Sequence, residues 1–330
     1  MMVAQRVDVV ILTHNRKHEA LRTIERMQAA DAVGTIVVVD NASTDATTEA
    51  IARRFPGVLT VRLPRNVGAA ARNFGVRETR APYVAFCDDD TWWSARSLRR
   101  AATVLDAFPP IGVITGRVLV GDTEADDPTN ERMRCSPFAN DLALPGSEVF
   151  GFLAGACVFR RRAFLQTGGY HPRFFIGGEE ALIAIDLKVA GWRMAYVPDV
   201  TVHHHPSTAR NAGARSRLLI RNALWSAWLR RPLHNALVES ARQLAKADFA
   251  DAASAFASAL RGLPWIVRER RVVPPDVERA IQKRDAFDAQ FQYDGSSLPS
   301  SRVFNPDAGV PIDADIPAHK NGGRSPAFRP

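Results

Sequence analysis

Tyr83-Val84-Ala85-Phe86-Cys87-Asp88-Asp89-Asp90 decides how the rest of this sequence is read. An apolar run leads directly into three adjacent carboxylates. A short run that is apolar on both faces fits a strand buried inside a sheet. Neighbouring acids repel one another unless something positive neutralises them. Hard oxygen donors suit Mg2+ or Mn2+, ions that usually share their shell with substrate phosphates. The competing reading is a solvated acidic turn capping the next helix, and the buried strand ahead of the acids weighs against it.

Working outward, the apolar runs at 7–13, 35–40, 58–62 and 111–120 read as further strands. Helical spacing of apolar residues predicts helices over 18–30, 48–54, 68–79 and 94–108 between them, with Thr44 as a cap for the second. Strand and helix alternate five times, which predicts an α/β fold with a mostly parallel sheet and helices on both faces. Ligands of such sheets bind outside the carboxyl ends of the strands. Here those ends are Thr13-His14-Asn15, Asp40-Asn41 and Asp88-Asp89-Asp90, all polar and all on one edge. The stretch 121–147, rich in Gly, Pro, Asp and Asn, reads as a long excursion. A strand-like segment follows at 151–160, then a helix over 179–190. Another strand runs over 193–203, bulged or at an edge because of Pro198.

After Ala214 the character changes. The segments 215–229 and 235–261 read as amphipathic helices, and a short helix follows over 275–288. This divides the chain into a catalytic-type α/β domain (1–213), a C-terminal helical extension (214–292) and a disordered tail (293–330), whose Gly, Pro and Ser content cannot build a core. The 330 residues are 46% apolar and 24% charged, as in an ordinary folded protein. Cys87, Cys135 and Cys157 are too few and too dispersed for a disulfide framework or a zinc module, and a reducing compartment fits them. Residues 1–7 lack the apolar core of a signal peptide, and no apolar run spans a bilayer, so a cytoplasmic protein is expected. The net charge of +8 favours anionic partners.

Four further constellations carry chemistry. Asp40 to Asp45 ends the second strand; Asp40 can accept hydrogen bonds from a base or ribose, although a capped turn would also use these residues. In Arg65-Asn66-Val67-Gly68-Ala69-Ala70-Ala71-Arg72-Asn73, small residues let a helix start approach a ligand closely, and Arg72 can reach a base or phosphate. In Gly177-Gly178-Glu179-Glu180, two acids sit in the first turn of a helix, where the dipole keeps a general base ionised. In His203-His204-His205, alternation along a strand points one imidazole opposite to the other two, and an imidazole could join Asp90 on a cation. Arg210, Arg215, Arg217 and Arg221 could hold a pyrophosphate or face a membrane, and Trp92 and Trp93 could wall a sugar site.

As an ordered set over roughly 6–230, these motifs resemble the family 2 glycosyltransferases of the GT-A (Rossmann-like) fold, within them the bacterial rhamnosyltransferase-like group. The resemblance rests on Val10 to Arg16, Val38 to Asp45, Arg65 to Gly68 with Ala71 to Asn73, and Phe86 to Asp90. It continues through Gly155-Ala156, Gly168 to Tyr170, Gly178 to Glu180 and the His203 to His205 strand. It implies that Thr13, Asn15, Asp40 and Arg72, with Asp88 and Asp89, hold the nucleotide. It implies that Asp88, Asp90 and one histidine hold Mg2+ or Mn2+. His204 is chosen because His-x-Pro-Ser is similar to the family's His-x-Gly-Ser. The family usually reads Gly-Glu-Asp where this chain has Gly-Glu-Glu. Glu180 holds the position of the catalytic base, with Glu179 as the alternative.

The implied activity is inverting transfer of a sugar from a UDP- or dTDP-sugar to a hydroxyl of a saccharide or lipid-linked acceptor in cell-envelope polysaccharide synthesis. The C-terminal helices are then expected to bring the protein to the anionic inner face of the membrane as a peripheral partner. A sugar-1-phosphate nucleotidyltransferase would carry a Gly-rich loop with Lys where Thr13-His14-Asn15-Arg16 stands. A nucleic-acid binder would interleave aromatics with Arg on one surface, whereas the positive charge here lies in the C-terminal helices. A non-catalytic nucleotide-binding relative would have little use for all these acids and a histidine.

Overall fold

The computed structural model describes residues 6–206 and 212–294, without the side chains of 212–215 and 292–294. β1 (Val7–Thr13), α1 (Lys17–Gln28), β2 (Val33–Asp40), α2 (Thr47–Arg54), β3 (Leu59–Arg62), α3 (Ala71–Glu78) and β4 (Tyr83–Asp88) alternate as the sequence predicts. These four strands pair in parallel in the order β3-β2-β1-β4. The registers Thr13↔Asp40 and Leu12↔Asp88 bring the polar strand ends to one edge.

Beyond β4 the sheet becomes mixed. β5 (Thr91–Trp93), α4 (Ser97–Ala107), β6 (Ile111–Val120), β7 (Ala125–Asp126), α5 (Pro128–Arg134), β8 (Ser147–Val149), β9 (Cys157–Arg160), α6 (Arg161–Gln166), α7 (Glu179–Val189) and β10 (Arg193–His204) complete the α/β part. β9 runs antiparallel to both β4 and β6, β10 lies parallel to β6, and β5 pairs antiparallel with the end of β10. The register shift between Val197 and Thr201 is the bulge expected around Pro198, but β10 is an interior strand.

The sheet's alternation decides the two cores. Val9 and Ile11 pack with Ile24, Met27 and Leu98 on one face, while Val10 and Leu12 pack with Val76, Phe86 and Phe159 on the other. α8 (Ala212–Arg230), α9 (Leu233–Leu244), α10 (Phe249–Arg261), α11 (Leu263–Glu269) and α12 (Pro275–Asp294) follow. A third core joins Leu182 of α7 and Phe174 to Ile220, Leu224 and Trp225 of α8 and to Trp265 of α11. Among the described residues no helix is long and apolar enough to cross a membrane.

Several local expectations are corrected. The excursion 121–147 contains α5, started by Asp127, whose carboxylate accepts the Thr129 N–H at 2.8 Å. Asp45 rather than Thr44 takes the Thr47 N–H at the head of α2, because Thr44 is held by the Asn15 side chain. The strand expected over 151–160 is confined to β9, and the helix expected over 235–261 breaks where Asp248 caps α10. The expected tail begins inside α12, and residues 295–330 lie outside the described residues.

Candidate active site

The end of β4 turns back at once into β5, and Thr91 Oγ1 accepts the Asp88 N–H at 2.8 Å. This turn buries all three acids, with Asp88, Asp89 and Asp90 only 5%, 2% and 5% exposed. Their neutralising partners are arginines. The Arg16 guanidinium donates to Asp89 Oδ1 at 3.1 Å and to Asp90 Oδ2 at 3.0 Å, and Arg72 pairs with Asp88. The Thr13 hydroxyl donates to Asp89 Oδ2 at 2.9 Å. Two arginines against three carboxylates leave the site short of positive charge. Burial, then the neighbouring charge of Asp90, holds the Asp89 carboxyl well above the ordinary range. Burial, then Asp88, raises Asp90 to about 7. Burial opposes the charge on Arg16, but Asp89 and Asp90 outweigh it and raise the guanidinium above its usual value.

Of the three histidines, His204 is the one that faces the acids. It is buried, with Nε2 3.9 Å from Asp90 Oδ1. His203 turns to Glu124 and Ser94 and stacks on Trp92; His205 turns to Asp122. The geometry therefore gathers Asp90 and His204, while Asp88 is engaged by Arg72. Among the described residues no three His, Cys, Asp or Glu side chains close on one point that could hold a metal ion. The donor chemistry still fits Mg2+ or Mn2+: a buried carboxylate and an imidazole form a partial shell, with the remainder left to ligand oxygens.

The residues expected from sequence to face a nucleotide are held in hydrogen-bonded loops. Asp40 is fully buried and accepts the Ser43 N–H at 2.8 Å and the Thr48 hydroxyl. Asn15, at φ 53°, donates its N–H to Ser43 Oγ, and its Oδ1 accepts from Thr44. Asn41 donates to Gly68 O at 3.1 Å and accepts the Val67 N–H at 2.9 Å, tying the second strand end to the Arg65–Gly68 loop. Gly68 has φ +62°, and a Cβ there would lie 2.0 Å from Phe175 O. The adjacent Ala69 N–H donates to that same oxygen at 2.7 Å. Only glycine combines this φ with so close an approach.

Phe175 belongs to the loop that delivers Glu179 and Glu180. On its other side the loop is gripped by α8. Asn222 Nδ2 donates to the carbonyls of Phe174, Ile176 and Gly177 at 2.9, 3.1 and 2.6 Å. Arg221 donates to Phe174 O at 3.0 Å and to Asn222 Oδ1. Arg221 is buried, and burial lowers its pKa to about 10. The head of α7 is thus fixed from both sides, which leaves the two glutamates different fates. Glu179 is 4% exposed and its Oε2 meets no hydrogen-bond partner among the described residues. Burial, then Glu180, pushes its carboxyl well above the normal range, with Arg72 near enough to pull in the opposite direction.

Glu180 instead lines a cavity of about 500 Å3 with Gly178 and Ala181. Phe138, Phe150 and Phe152 supply aromatic wall. α12 closes the far side, where Arg132 and Asp288 form a two-point ion pair and the Arg284 guanidinium lies 5.2 Å from the Phe150 ring centre. Asp88 to Asp90 are absent from this lining.

Three residues reasoned about from sequence are placed elsewhere. Trp92 and Trp93 are core residues, Trp92 lying beneath the Arg26 guanidinium at 3.7 Å. Arg217 pairs with Asp251. The Arg210 and Arg215 side chains lie outside the described residues. Sequence reasoning missed Arg16 and Asn222. The signal for Arg16 was its position three residues past a buried strand on the acidic edge; Asn222 carried none, lying in a helix far along the chain.

Residues 8–168 match the family model "Glycosyl transferase family 2". The N-acetylglucosaminyl-diphospho-decaprenol L-rhamnosyltransferase of Mycobacterium tuberculosis is 25% identical over 240 residues, 60% of this chain and 78% of the relative. Among solved structures, the mannosyltransferase PcManGT of Pyrobaculum calidifontis, in complex with GDP-Man and Mn2+, has a TM-score of 0.51 at 18% identity, covering 89% of this chain and 88% of that one. S. aureus TarS 1-349 has a TM-score of 0.54 at 15% identity, covering 88% and 92%. These structural likenesses speak to the fold.

Proposed function

We propose that this chain, whose residues 8–168 match the family 2 glycosyltransferase model, is an enzyme of that family and transfers a sugar from a UDP- or dTDP-sugar to a hydroxyl of a saccharide acceptor, with inversion. The observation that carries this reading is the division of labour at the head of α7. Three buried acids stand at the strand edge, and Glu180, in the first turn of α7, opens onto a cavity.

Thr13, Asn15, Asp40 and Arg72 hold the base and ribose, and Asp88 and Asp89 stand at the diphosphate. Glu180 takes the proton of the acceptor hydroxyl. The freed oxygen attacks the anomeric carbon from the face opposite the diphosphate, and the bond to the diphosphate oxygen breaks. Glu179, buried and with its carboxyl pushed well above the ordinary range, is placed beside Arg72 as a shaping residue, with Glu180 as the base. Asp90 and His204, with Asp88 after release from Arg72, would hold Mg2+ or Mn2+, which when bound neutralises the charge on the departing diphosphate. PcManGT, a GT-A relative by fold, was solved with Mn2+, which supports this assignment.

The acceptor enters the cavity. The mycobacterial relative acts on a diphospho-decaprenol-linked sugar, which supports a lipid-linked saccharide in cell-envelope synthesis and work at the inner face of the membrane. The 1–213 catalytic and 214–292 helical division follows the same logic: the first unit takes the donor and the second closes over the acceptor. The test is Glu180→Gln. It should lower turnover about 100-fold or more while nucleoside diphosphates still raise the melting temperature. Near-normal turnover would remove Glu180 from the mechanism.

A further inference from the structure

We propose that the outward faces of α9, α10 and α11 form a docking surface for an anionic lipid bilayer, an inference that rests on the lipid-linked acceptor reading above. Of the fourteen large apolar side chains exposed among the described residues, nine lie between 233 and 272. Phe249 is 89% exposed, Val267 72%, Leu233 69% and Leu237 60%. A monomeric soluble protein seldom leaves such a concentration uncovered.

The helices are built inside out. α10 buries Ala255 and Ala259 against α8, where Trp225 donates to Ala259 O, and leaves Phe249, Phe256 and Leu260 outside. These three are spaced i, i+7 and i+11, which places them on one side of the helix. α11 continues with Leu263 and Val267. α9 buries only Ala236 and Ser240 and exposes Leu233, Leu237 and Val238. In a helix stabilised by its own core the large residues would point inward.

The surrounding charge decides the occupant. Lys246, Arg268 and Arg271 are exposed and form no ion pair among the described residues, whereas two of the nearby acids are paired with arginine. Glu239 pairs with Arg231 and Arg242 and Asp251 with Arg217, while Glu269 accepts a hydrogen bond from His171, whose pKa burial lowers, and keeps its charge. Asp248 accepts the Asp251 N–H as the α10 cap. Lys246, Arg268 and Arg271 outnumber Asp248 and Glu269, so the net charge left facing outward is positive, which complements anionic headgroups around an apolar patch. α9 also connects this face to the cavity, since Glu239, Arg242 and Gln243 line it, with Lys246 just past its end. A helix that walls the acceptor cavity on one side and meets the bilayer on the other lets a saccharide enter while its lipid stays in the membrane.

The experiment is co-sedimentation of the full chain with vesicles of phosphatidylcholine alone or with about 30% phosphatidylglycerol, at low and high salt. Wild type should pellet with the anionic vesicles at low salt and be released at high salt. Phe249→Asp with Val267→Asp, both at highly exposed positions, should lower the bound fraction about tenfold at unchanged melting temperature. Arg268→Glu with Arg271→Glu should abolish the preference for phosphatidylglycerol. No pelleting at low salt, or equal pelleting of the first double variant, overturns the proposal. So does a wild-type dimer that this variant dissociates without any vesicle binding, since the face would then bind a second copy. The readout needs no turnover: vesicle binding without any response to nucleoside diphosphates would count against the catalytic reading while supporting the docking face.

Discussion

Asp90→Asn should make the protein more stable and less active at once. Burial, then the charge of Asp88, holds the Asp90 carboxyl at about 7 even though Arg16 donates to it. A folded pKa above the unfolded one means that the fold prefers the protonated form. The associated stability is complete below the unfolded pKa and is lost as the pH rises through about 7. Asparagine keeps the shape and cannot ionise. Lifting a carboxyl from 3.8 to about 7 corresponds to on the order of 4 kcal/mol, reached only above pH 7 and shrinking to under about 2 kcal/mol at pH 5. Asp89 shares the same burial and couples to this group, so the observed gain should fall below that ceiling, at about 2 kcal/mol or more. Urea unfolding of wild type and variant at pH 5 and pH 8, in chelator and without nucleotide, reads the difference. A variant that is less stable than wild type at pH 8, or whose gain is the same at both pH values, would refute the argument that Asp90 is held at a cost to the fold. The activity arm should show turnover falling about 100-fold or more.

Asn222→Ala removes three hydrogen bonds to the loop ahead of α7. It should cost about 2–3 kcal/mol of stability and lower kcat at least about tenfold, with donor KM nearly constant. Unchanged kcat would mean that the loop holds Glu180 in place unaided. Gly68→Ala forces a Cβ to within 2.0 Å of Phe175 O at positive φ, so nucleotide-induced stabilisation should be lost along with several degrees of melting temperature. His204→Ala should weaken Mn2+-dependent stabilisation by a nucleoside diphosphate about tenfold or more. His203→Ala, altering a residue turned toward Glu124, should not.

The parallel half of the fold was legible because its strands are apolar on both faces and its crossovers have helical period. β1, β2 and β4 fall within a few residues of where their patterns put them. The mixed half was not. β5 is three residues long and continues directly from an acidic turn, and β9 is short because Gly155 and Ala156 precede it as loop. Neither length nor period separates such pieces from connecting segments. At the site, Thr13, Asp40 and the acids could be grouped because strand ends share an edge. Arg16 and Arg72 could not be paired with particular carboxylates, since that depends on which way each loop folds over the sheet. The distinct surroundings of Glu179 and Glu180 come from the loop clamp between Gly68 and Asn222, two contacts far apart in the chain.

The central claim is that the β4 acids and His204 hold a cation together with the diphosphate of a nucleotide. It is tested most directly by the melting temperature of the full chain with a panel of nucleoside diphosphates, each with and without Mn2+. At least one should raise the melting temperature only when Mn2+ is present, and that rise should disappear in Asp90→Asn. No metal-dependent rise with any nucleoside diphosphate would contradict the account.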